Sequence, residues 1–75
     1  MTQKLIKALS KFTMLMTLKF HRKFLKGYHG WDETSYKEVL LEKLNKNLKD
    51  EDYVDVANFA MSLWYLKEKE GKNKK

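Results

Sequence analysis

Apolar residues recur along this chain at every third or fourth position rather than in alternation, a period that predicts helices throughout. The first run covers about residues 3–26. Leu5, Leu9, Phe12, Met16, Phe20 and Phe24 form one stripe, the expected core face. Met14, Leu15, Leu18 and Leu25 fall on roughly the opposite side at about 100° per residue. A helix that is apolar on two sides needs cover on both. In so short a chain the second cover is expected from another subunit.

Gly27 closes that run, and the segment KGYHGW (residues 26–31) reads as a loop. Ser35 with Glu38 predicts a capping box at the start of a second helix. It runs to about Leu48, with Val39, Leu40, Leu41, Leu44 and Leu48 facing inward. The segment KDED predicts a short turn, with Asp50 or Asp52 capping a third helix that extends to about Lys69. Val54, Val56, Ala57, Phe59, Ala60, Met61, Leu63, Trp64 and Leu66 surround this helix with apolar surface, and Trp64 and Tyr65 are expected in the core or at a subunit interface. Gly71 is expected to stop it, leaving residues 71–75 as a disordered basic tail. The expected fold is therefore all-α: a single domain over residues 1–70, a three-helix protomer assembling into an oligomeric helical bundle.

With 75 residues the core is marginal, and with no cysteine there is no disulfide to reinforce it. The same absence is compatible with a reducing cytoplasm. Lysine or aspartate interrupts every apolar stretch, so no transmembrane helix is expected. Nor is a secretory signal, because FTMLMTLKF contains threonines and a lysine and no small-residue cleavage site follows. Charge is unevenly placed. Residues 1–27 hold seven basic side chains and no acidic one, whereas residues 28–75 hold nine basic and ten acidic. Such a basic segment attracts phosphate, whether on nucleotides, nucleic acid or membrane headgroups.

The polar residues inside the third helix carry the most chemistry. Asp52, Asp55, Asn58 and Ser62 are spaced three, three and four apart and so share one narrow face. A carboxylate there costs several kcal/mol in a dry core unless it is paired or metal-bound. The stripe either lines a wet cleft or meets basic partners. A structural role is the alternative: Asp52 as cap, Asp55 in an exposed first turn, Asn58 bonded to neighbouring backbone. On the second helix, Glu38, Glu42 and Asn45 form a possible facing stripe, or a solvated face with Glu42 paired to Lys46.

The run GWDETSYKEVLLEKLNKNL followed by DEDYVDVANFAM resembles the MazG-like nucleoside triphosphate pyrophosphohydrolases, above all short phage-encoded members, over roughly residues 26–66. The resemblance implies helical assemblies of dimers or tetramers in which a carboxylate-rich helix pair holds Mg²⁺ and pyrophosphate is released. The family's Glu-x-x-Asp element falls on Asp52 and Asp55, and its following Asn on Asn58. Its Glu-Glu-x-x-Glu element falls on Lys46, Asn47 and Asp50, so two of its three carboxylates are absent, one of them replaced by a cation. Mg²⁺ needs oxygen ligands, and a lysine in their place repels the metal. The expectation is a nucleotide-binding protein without turnover, requiring no cofactor. By analogy it would be a phage protein sequestering a nucleotide, linear or cyclic, that signals in host antiviral defence, in the cytoplasm of the infected bacterium. On the alternative reading of a minimal hydrolase, Glu38, Glu42, Asp52 and Asp55 would hold Mg²⁺.

The expected ligand surface joins the basic helix end (Arg22, Lys23, Lys26), the loop rings (Tyr28, His29, Trp31) and the polar stripe (Asp55, Asn58, Ser62), across a subunit interface. Bases stack on such rings while the cations meet phosphate. Trp31 has a competing role as an anchor of the loop on the core. His21 and His29 lack a second ligand at zinc spacing. Ser10, Ser35 and Ser62 lack a nucleophile's constellation, and no glycine-rich phosphate loop is present. No catalytic residue is assigned. A basic helical module for nucleic acid or a protein partner is a further alternative; no membrane partner is expected.

Overall fold

The computed structural model describes residues 2–27 and 29–73. Three helices, α1 (Gln3–Leu25), α2 (Lys37–Lys49) and α3 (Tyr53–Asn73), account for most of them, with a single 3-10 turn at Thr34–Tyr36 leading into α2. No strand occurs among the described residues. The all-α, three-helix reading holds.

Helix α1 starts at Thr2, whose Oγ1 accepts the Leu5 N–H at 3.2 Å. Within it, Thr13 and Thr17 donate their hydroxyls to the carbonyls of Leu9 and Thr13, at 2.6 and 3.0 Å, so neither needs a tertiary partner. The helix ends where Gly27 takes φ +93°, a left-handed conformation that side chains rarely adopt, and its N–H bonds the Phe24 carbonyl at 3.0 Å. Gly30 also has φ +93°, and a Cβ there would meet the Tyr36 ring at 3.6 Å.

The Ser35–Glu38 capping box does not form. Ser35 lies inside the 3-10 turn, and α2 begins after Tyr36 with no side-chain cap. Main-chain carbonyls take the place of a cap: Tyr36 N bonds Glu33 O at 2.9 Å and Lys37 N bonds Thr34 O. Helix α2 ends in a Schellman-type turn. Asp52 N donates to Asn47 O at 2.9 Å, and Glu51 holds φ +58° in a position that usually suits glycine. Asp52 then caps α3, its Oδ1 accepting the Asp55 N–H at 3.2 Å. Helix α3 does not stop at Gly71. No neighbouring atom crowds that glycine, and the helix continues to Asn73. Lys74 and Lys75, the rest of the expected tail, lie outside the described residues.

The core lies between α2 and α3. Leu40, Phe59 and Leu66 are buried, and Tyr36, Leu44 and Leu63 pack against them. Leu41 and Leu48, expected inward, are exposed; Leu40 and Leu44 belong to the packed core, and Leu41 lies in an open groove with Leu63 and Trp64 of α3. Helix α1 buries no residue fully. Of its expected core stripe, Phe12, Met16 and Phe20 are half-buried, whereas Leu5, Leu9 and Phe24 are exposed. Trp31 anchors the loop between helices, its ring 5.7 Å from Phe20 and 5.2 Å from Tyr65. Trp64, by contrast, is exposed and belongs to no core. No helix among the described residues is long and apolar enough to cross a membrane.

Candidate functional site

The polar stripe of α3 turns toward α1. Asp55, Asn58 and Ser62 are all buried. Lys19 Nζ sits 2.7 Å from Asp52 Oδ2 and 3.3 Å from Asp55 Oδ2, and Lys23 Nζ sits 3.2 Å from Asp55 Oδ1. Lys23 also lies over the Phe59 ring at 4.7 Å. Asp55 Oδ1, sealed from solvent, makes no hydrogen bond of good geometry, so its contact with Lys23 is an ion pair. Asn58 Nδ2 donates to Met16 O at 3.0 Å, and the Ser62 hydroxyl donates to Asn58 O at 3.2 Å. The stripe thus meets basic partners rather than water. Of the three cations expected at a ligand's phosphate, Lys23 is engaged on a protein carboxylate, beside Lys19.

These ion pairs set a pH dependence. The hydrogen bond from Lys19, then that from the Asp55 backbone, lowers the Asp52 pKa; the bond to Asp52 is likewise the largest cause raising that of Lys19. A lowered aspartate stabilises the fold fully above its unfolded value of about 3.9 and loses that contribution as pH falls through the folded value. A raised lysine contributes fully below about 10.4 and loses it as pH rises through its folded value. Both side chains are about one-third exposed, which holds the effect to about 1 kcal/mol. Urea midpoints should therefore be level near neutrality and fall in acid, and Asp52→Asn should remove part of the acid fall. An unchanged acid limb in that variant would show the pair to be energetically idle.

The carboxylates expected to hold Mg²⁺ are not gathered in one protomer. Glu38 and Glu42 are exposed on α2, while Asp52 and Asp55 face α1 and its lysines. Among the described residues no three acidic or histidine side chains come together as a metal site. Lys46 lines a shallow hollow with Glu42 and Lys43, and Asn47 Nδ2 is bonded to Lys43 O. These residues do not fit the ion.

On the other flank of α1 opens a cleft of about 460 Å³. Met16, Phe20, His21, Phe24 and Trp31 form much of its wall, Thr13, Thr17 and Met61 complete it, and Asn58 lies in its lining. Of the expected ligand residues the fold brings Trp31 and Asn58 together here. His29 stands just outside, edge-on to Phe24 with ring centres 5.4 Å apart. Arg22 lines a separate hollow with Leu15, Leu18, Lys19 and Val54, and Lys26 is exposed at the C-cap of α1. Asp55 is committed to lysines. Ser62 is fully buried and cannot touch a ligand. Tyr28 lies outside the described residues. Sequence reasoning missed Phe20, Phe24 and His21 as cleft walls; their 3–4 spacing with Met16 and Thr17 marked a helix face but not that the face stays open.

No protein-family model, curated protein or solved structure matches this chain.

Proposed function

We propose that this chain is a nucleotide-binding protein on a MazG-like helical scaffold, that it holds its ligand without turnover, and that it works as a homo-oligomer, dimer or tetramer. The observation that carries the reading is the aromatic cleft beside α1. Its volume of about 460 Å³ falls within the range of small-molecule sites, about 300–1,000 Å³. Three aromatic side chains and a histidine offer faces and edges to a base. The neutralised aspartates argue against turnover, since Asp52 and Asp55 already have lysines where a metal would be needed.

Support for assembly comes from surface area. The protomer exposes 6154 Å², whereas a compact monomer of 9.0 kDa exposes about 4,900 Å². The excess of about 1,300 Å² is more than one partner's share of an ordinary interface, about 800 Å². No lysine or arginine lines the cleft, so the phosphate end of a nucleotide draws on a second protomer, whose Lys4, Lys7 and Lys11 are exposed. Capture of a cyclic nucleotide signal by a phage-encoded oligomer is the biological role that fits binding without cleavage.

The test is titration with nucleoside mono- and triphosphates and cyclic dinucleotides, with Mg²⁺ present. In a Trp64→Phe background, Trp31 is the one tryptophan left, and its fluorescence should change on saturable binding at fixed stoichiometry per oligomer. Pyrophosphate release would overturn the claim of no turnover. Failure of every nucleotide to bind would overturn the reading itself.

A further inference from the structure

We propose that the cleft selects a base carrying an exocyclic amine, and that Asn58 is the residue that reads it. The inference rests on the nucleotide-binding reading and names which bases the site takes.

Asn58 is 4% exposed, yet it lines the cleft. Its Nδ2 donates to Met16 O at 3.0 Å, which fixes the amide's orientation and leaves Oδ1 as the group still to be satisfied. Among the described residues no donor reaches Oδ1. Nor is it sealed: Asp55 Oδ1 is the one described side-chain atom that is closed off from solvent without a hydrogen bond. Asn58 is therefore a cleft-lining residue whose side-chain acceptor has no partner among the described residues, and the cleft is the space from which a ligand donor can reach it. Its backbone carbonyl is held as well, by the Ser62 hydroxyl at 3.2 Å, so the helix beneath it is fixed.

A recessed acceptor between aromatic walls suits a donor that projects beyond a ring. The exocyclic amines of adenine, cytosine and guanine do so. In uracil the ring N–H is flanked by two carbonyl oxygens, and in hypoxanthine by one. Approach of those bases sets oxygen against Oδ1. Rotating the amide to offer Nδ2 instead would surrender the bond to Met16 O and turn Oδ1 toward that carbonyl. A site with a polar group left unpaired discriminates strongly against the analogue that cannot pair with it.

The experiment uses the intact protein and four nucleotides, AMP, IMP, CMP and UMP, titrated by calorimetry. AMP is expected to bind at least about ten-fold more tightly than IMP, and CMP than UMP, the worth of one buried hydrogen bond. N6,N6-dimethyl-AMP, a purine without the donor, should bind as weakly as IMP; this comparison needs no variant. In Asn58→Ala, with folding checked by circular dichroism, the AMP to IMP ratio should collapse to near one. Equal affinities in the wild type would overturn base selection while leaving nucleotide binding intact. A preference that survives in folded Asn58→Ala would overturn the assignment to Asn58. Absence of binding by all four would sink this proposal together with the reading beneath it.

Discussion

Replacing Lys19 and Lys23 together by methionine is expected to destabilise the fold by about 3–5 kcal/mol, the cost of stripping a buried carboxylate of its counter-charges. The burden falls on Asp55. Its residue is 7% exposed, and its two oxygens face Lys19 at 3.3 Å and Lys23 at 3.2 Å. Methionine keeps most of each stem, so packing over Phe59 changes little and the loss reports charge. A chain of 75 residues has about 4–11 kcal/mol in all, so the variant should lose a large share of its stability. Asp55→Leu added to the double change should restore much of the loss, because an apolar contact of similar size then replaces a broken ion pair. Urea denaturation of the wild type, the double and the triple variant reads all three. A double variant within 1 kcal/mol of wild type would mean that water reaches Asp55 and that the pairs are surface decoration.

The same pairs show where sequence reading stopped. The spacing of Asp52, Asp55, Asn58 and Ser62 placed them on one face, and three of the four are buried along that face. Helical periodicity describes a helix's own faces and says nothing about which neighbour meets them. Glutamates on α2 and lysines on α1 were equally available as partners, and the crossing of α1 over α3 chose the lysines. The same blindness explains Leu41 and Leu48, which share the apolar period of α2 but lie outside the packed core with α3. Ser35 and Glu38 had the spacing of a capping box, yet the chain enters α2 through a 3-10 turn in which the Tyr36 and Lys37 N–H groups bond main-chain carbonyls. Asn58 was legible as a polar intruder. Its place, with the amide donor held by Met16 O and the residue in the wall of a cleft, depends on how two helices cross, which no single run of residues encodes.

On the proposed reading of a nucleotide-binding homo-oligomer whose site is completed by cations from a second protomer, changing Leu5 and Leu9 together to glutamate is expected to leave a 9.0 kDa monomer and to weaken nucleotide binding by about a hundred-fold or more. Residues 2–11 are all exposed, and Leu5 and Leu9 are each 49% exposed. At 100° per residue, Leu5, Leu9 and Phe12 share one side while Lys4, Lys7 and Lys11 share the other. A half-helix of that length has too little internal stability to persist in water without tertiary cover. Burial of each leucine in an interface contributes about 1.5–3 kcal/mol, and a glutamate in the same place adds the cost of an unpaired charge. The variant should therefore lose helix content over its first turns as well as mass in sedimentation. For the wild type, the thermal midpoint should rise with protein concentration, as mass action requires of a fold that shares its surface. A wild type that sediments as a monomer at micromolar concentration, with α1 fully helical, would remove the second protomer from the site. The phosphate of the proposed ligand would then have to be met by Arg22, which lines a separate hollow, or by Lys26 at the C-cap of α1.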